Sequence, residues 1–181
     1  SDVQFTEEEV KKHGEIFEDE KNRKKITINQ VALNIKSNRD YPGIFLLQNP
    51  REDGKILLEN YDLFKGITQL PLTIPLIEKL QQENKKPEIF VLVYTDQTDD
   101  EKHRKSDTLF YAQIFKRKII ENFHYTNAQF IEYTITEKVT DYDFQYQKFN
   151  VAIKNKEIIP YDPEEIEKIY LLPQGGIDQI N

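Results

Sequence analysis

Ile89-Phe90-Val91-Leu92-Val93-Tyr94, followed by Thr95-Asp96-Gln97, is the stretch on which the fold reading turns. Six β-branched, aliphatic or aromatic residues without a charge make it the strongest strand in the chain. Ile44–Leu47 is an apolar run without alternation, as expected for a strand covered on both faces in a parallel sheet with helices above and below, and Phe130–Ile135 and Ile169–Leu172 read as further strands. Between these runs lie helical patterns. Thr73 opens one as a cap, Pro75 sits in its first turn, Leu76, Ile77 and Leu80 face inward, and Asn84–Pro87 ends it. Ser106 or Asp107 caps the next, whose Leu109, Ala112, Phe115, Ile119 and Phe123 step by three and four. Val139, Tyr142, Tyr146, Phe149 and Ile153 do the same in a third. Strands alternating with helices predict an α/β chain, a three-layer Rossmann-like fold with a mainly parallel central sheet.

The flanks are less regular. Thr6-Glu7-Glu8-Glu9 reads as an N-cap with an acidic first turn, opening a peripheral helix to about Glu20. Ile26–Ile35 alternates in part and predicts one or two short strands. Residues 51–70 fit a strand, a short helix or an insertion. Asp162-Pro163-Glu164-Glu165 opens a helical turn. Residues 1–42 are therefore expected to be an extension packed on a domain spanning 43–181.

A chain of 181 residues is enough for one domain with a substantial core. With no Cys it has no disulfide, thiolate metal site or Cys nucleophile. It contains no apolar run of the roughly 20 residues that a membrane span needs, and no signal-peptide pattern, so a cytoplasmic location is expected. The net charge of −7 argues against a broad surface for long nucleic acid. The absence of Met and the opening on Ser1-Asp2 suggest one domain of a longer protein, whose remainder carries an effector or an anchor.

Three polar patches sit where strands end: Gln48-Asn49-Pro50-Arg51, Thr95-Asp96-Gln97 and Gln174-Gly175-Gly176-Ile177-Asp178-Gln179. In a parallel sheet such ends share one edge and line one crevice. Gly175 and Gly176 allow backbone amides to approach a ligand closely; equally, a Gly pair after a strand is an ordinary turn. Asp96 offers a carboxylate and His103 lies in the loop beyond it, but neither a paired acid nor an ordered base accompanies them. Asp99-Asp100-Glu101 resembles a metal-ligand run in charge alone. No metal site, cofactor or catalytic residue is assigned, and Walker, G-x-G-x-x-G and G-x-S-x-G patterns are absent.

Val93-Tyr94-Thr95-Asp96-Gln97, Lys105-Ser106-Asp107-Thr108-Leu109 with Ala112, and Leu172-Pro173-Gln174-Gly175-Gly176-Ile177-Asp178-Gln179-Ile180-Asn181 together resemble the CARF family, the CRISPR-associated Rossmann fold. Asn49-Pro50 resembles its first ligand loop. The resemblance spans residues 43–181 and implies a homodimeric sensor of cyclic oligoadenylate in type III CRISPR defence, switching an appended effector. Ligand contacts would come from Asn49, Arg51, Thr95, Asp96, Gln97, Lys105, Ser106, Thr108, Gln174, Gly175, Gly176, Asp178, Gln179 and Asn181. Ile177 stands where the family commonly has Thr, a departure that bears on the alternative of a metal-independent ring nuclease. A nucleotide-binding or interaction domain outside CRISPR biology is the third reading.

Overall fold

The computed structural model describes residues 3–98 and 103–172. Its principal sheet contains five antiparallel strands in the spatial order β1 (Gln4–Thr6), β5 (Ile44–Leu47), β4 (Val31–Ser37), β3 (Lys24–Ile28) and β2 (Glu15–Glu18). A second sheet pairs β6 (Ile89–Thr95) with β7 (Gln129–Ile135) in parallel. The expected mainly parallel Rossmann-like sheet is therefore incorrect. Ile44–Leu47 lacks alternation for a different reason: it is an inner strand, with Phe5 opposite Phe45 on one side and Ile35 opposite Leu47 on the other. The segment read as an extension supplies the other four strands of that sheet.

Local chemistry explains the antiparallel half. Asn29 and Gln30 both have positive φ, 46° and 68°, and form the two-residue turn between Ile28 and Val31; that backbone matches the twist of a hairpin. Thr6 accepts the Glu9 N–H and caps α1 (Glu7–His13). This helix stops well short of Glu20. Gly14 ends it with extended backbone, its N–H on the Val10 carbonyl, and only glycine fits there: a Cβ would lie 2.6 Å from both the Ile28 side chain and the Thr27 carbonyl oxygen. The next four residues then pair with β3.

The undecided stretch 51–70 is helical, as α2 (Glu52–Glu59) and α3 (Tyr61–Phe64). Leu57, Tyr61 and Phe64 join Phe5, Ile26, Leu33 and Leu47 in the main core. Burial pushes the Tyr61 hydroxyl up to about 12, and the Arg117 guanidinium lies over its ring at 4.6 Å. After α4 (Ile74–Gln82) comes β6, then α5 (Leu109–Phe123), which serves both halves. Its Ile114 packs in the main core, whereas Ile119 packs with Ile77, Phe90 and Tyr125.

Two late expectations need correction. The helix α6 (Tyr142–Lys154) forms, capped by Asp141, but it leaves out Val139, the first residue of the series that predicts it, and Tyr142, Tyr146 and Ile153 of that series are exposed. Periodicity reported the helix, not which face is covered. Ile169–Leu172 belongs to no ladder and is exposed throughout; β-propensity alone does not pair a four-residue run. No helix among the described residues is long and apolar enough to cross a membrane.

Candidate functional site

Two of the three polar patches meet at the carboxyl end of β6, together with the start of α5. Asn49 accepts the Arg51 and Glu52 amides at 3.2 and 3.1 Å, which turns the chain into α2. The Arg51 amide also reaches the Lys105 carbonyl at 3.2 Å, tying this turn to the loop before α5. Arg51 Nη1 lies 2.7 Å from Asp96 Oδ1 and 2.6 Å from Asp107 Oδ2.

Asp107 is the centre of the junction. It is fully buried and accepts the Gln97 backbone N–H at 2.9 Å, Gln97 Nε2 at 2.7 Å and Arg51 Nη1. A buried carboxylate is tolerated only when paired and hydrogen-bonded in this way. Beside it, Thr95 N–H donates to Thr108 Oγ1 at 3.1 Å and Thr108 N–H returns to Thr95 Oγ1 at 3.0 Å. The exchange clamps the β6 end to the residue preceding α5. Asp107 is thus not the helix cap expected of it; that place falls to Thr108.

A second buried carboxylate fixes the other side of the turn. Asp53 accepts the Asn34 N–H and Asn34 Nδ2, each at 3.0 Å, and the Asn49 N–H at 2.9 Å. Arg51 and Asp53, two residues apart, therefore fasten α2 to opposite halves of the molecule. Asp53 escaped the sequence reading. Its signal was available: an Asn-Pro turn followed four residues after Asn49 by an acid in the first turn of a helix.

Chemically, this arrangement holds position. The Asp107 oxygens are occupied by three donors, and Asp96 is paired to Arg51. His103 is exposed and contributes its carbonyl to the turn Arg104–Ser106. Counting Arg51, Asp96 and Asp107 alone, the junction carries one net negative charge. Lys105 and Ser106 are exposed on its rim. Among the described residues no group of three His, Asp or Glu side chains is placed to hold a metal. The proposed contacts Gln174, Gly175, Gly176, Asp178, Gln179 and Asn181, and the acidic run 99–101, lie outside the described residues.

Two surface hollows stand out. One, of about 430 Å³, is bordered by Thr6, Glu7, Lys11 and Gly43; the other, of about 450 Å³, lies between Tyr133 and Phe144 beside Lys148. The second is lined in part by Ile135, Thr136 and Glu137 at the carboxyl end of β7, next to Asp96. Comparison with known proteins returns no matching family model, no matching curated protein and no matching solved structure.

Proposed function

We propose that this chain is a non-catalytic nucleotide-sensing module whose ligand edge is the carboxyl end of β6. Cyclic oligoadenylate is the ligand class to test first. The observation that carries the reading is the convergence of Asn49–Arg51, Thr95–Gln97 and Lys105–Thr108 around one buried carboxylate. These are residues on which the family resemblance rests, although the antiparallel main sheet removes the Rossmann frame that came with it. Binding is favoured over chemistry because Asp96 and Asp107, the acids described at the centre of this end, are both engaged by protein donors rather than held as a free base.

In this reading, Arg51 and Asp107 shape the edge, and Lys105 and Ser106 on the rim meet phosphate. A ligand with two-fold symmetry would be gripped by two copies of the edge across a dimer axis. Isothermal titration with cyclic tetra-adenylate tests it. Micromolar or tighter binding is expected, weakened about tenfold or more in Lys105→Glu, since charge reversal removes one phosphate contact and adds repulsion. Ligand recovered intact after hours supports sensing, and cleavage would move the assignment to ring nuclease. No binding at micromolar protein ends the nucleotide reading.

A further inference from the structure

The two-stranded sheet has an open edge. Gln129 N–H donates to the Glu88 carbonyl and Asp96 N–H to the Ile135 carbonyl, at 2.8 and 2.9 Å. Even-numbered backbone groups of β6 therefore serve β7, and those of Ile89, Val91 and Val93 face the other way. The outward amide of Thr95 is taken by Thr108. Among the described residues no ladder partner meets the three positions before it. The side chains there are also uncovered: Val91 is 38% and Val93 49% exposed. A seven-residue apolar strand with no charge or proline within it is an edge that folded proteins cover.

Handedness indicates what covers it. Phe90 stacks on Phe130 and meets Phe115 edge-on, so α5 lies on the even face. Tyr133, the ladder partner of Val93, meets Phe149 edge-on at 5.5 Å, so α6 lies on the odd face. Crossovers between parallel strands are right-handed in about 98% of cases. The crossover from β6 to β7 moves one way across the sheet with its helix on the even face. A crossover from β7 with its helix on the odd face must move back the other way, past β6.

The next strand-like run is Ile169-Tyr170-Leu171-Leu172. It is exposed, Leu171 to 85%, and it begins in the right place. Tyr161, a few residues earlier, meets Gln129 at 3.5 Å, and Gln129 is the ladder partner of Ile89, so the chain has already returned to the amino ends of both strands. We propose that Ile169–Leu172 docks on the outer edge of β6 as a third parallel strand of this small sheet. The main sheet remains antiparallel. Docking satisfies the outward groups of Val91 and Val93. It is independent of any ligand.

Because the chain has no Cys, engineered pairs report without background. Val91→Cys combined with Leu171→Cys, and separately with Leu172→Cys, is oxidised and run on a non-reducing gel. The expected product in one of the two pairs is a crosslink within a single molecule. In the otherwise unchanged chain, the Val91 and Val93 amides should exchange with solvent at least about tenfold more slowly than in Leu171→Asp/Leu172→Asp. Crosslinks joining two molecules would assign the edge to a second copy and overturn the proposal. Absence of a crosslink in both pairs, or amides indifferent to the double substitution, overturns it as well.

Discussion

The antiparallel and parallel halves of this molecule both contain strongly strand-forming sequence, yet one covers its strands and the other does not. In the antiparallel half β5 is paired on both sides, and Phe5, Ile26, Leu33 and Leu47 are almost wholly buried. In the parallel half both strands are edges. Large exposed apolar side chains concentrate on β6, on α6 and near Leu172: Val91, Val93, Tyr142, Tyr146, Val151 and Leu171. Hairpins explain the contrast. Residues 15–37 find partners through short local turns, whereas a parallel pair requires a whole helix per connection and gains its third strand only after another. Strand-forming sequence is thus covered in one half and left waiting in the other.

The sharpest way to break that comparison is to cut a buried side chain from the antiparallel half. Leu33→Ala removes a fully buried side chain from the main core and should cost about 3 kcal/mol in urea unfolding, by lost transfer energy and a residual cavity. A loss below about 1 kcal/mol would mean that the antiparallel half is as loosely packed as its neighbour.

The junction between the halves should rank next. Asp107→Ala strands the Gln97 amide and side chain and leaves Arg51 with Asp96 alone. A loss of about 2–3 kcal/mol is expected, below that of a fully buried pair because Arg51 keeps a partner and some solvent. A double-mutant cycle with Arg51→Met should return coupling of about 1 kcal/mol or more. Additive losses would show the two halves to be joined by α5 packing rather than by this ion pair.

Gly14→Ala probes the tightest point of the antiparallel half, where backbone blocks a Cβ. About 1–3 kcal/mol of overpacking strain is expected, read as a lowered midpoint. Tolerance within about 0.5 kcal/mol, the scatter of ordinary surface changes, would show that the α1–β2 turn yields.

Legibility in sequence divides along the same line. Strand β6, helix α5 and strand β7 are legible because each is one long signal, a β-branched and aromatic run for the strands and steps of three and four for the helix. Thr6 as a cap was readable because its chemistry is local. The partner of Ile44–Leu47 was not, since four apolar residues look alike whether helices or strands cover them. At the site, Asn49–Arg51 and Thr95–Gln97 meet as two of the strand-end patches, but not along one parallel sheet, and Lys105–Thr108 entered through the family resemblance rather than as a strand end. What the side chains do there was not readable. Asp107 looks in sequence like a helix cap beside Thr108; only the fold brings Gln97 and Arg51 to it and turns a local signal into a long-range one.

Val93→Thr carries the smallest expected effect and tests the open half most directly. Thr keeps the branched Cβ that suits a strand, and at a side chain 49% exposed its hydroxyl can reach water. The change in unfolding free energy should stay within about 0.5 kcal/mol, as for surface positions generally. The same substitution at Ile35, 3% exposed on β4, places a hydroxyl in the core and should cost about 2 kcal/mol through desolvation and lost packing. A ratio of about four between the two sites is the comparison in measurable form. A cost above about 1.5 kcal/mol at Val93 would place that face under cover in solution, and the two halves would then differ in the length of their connections rather than in how completely they bury their strands.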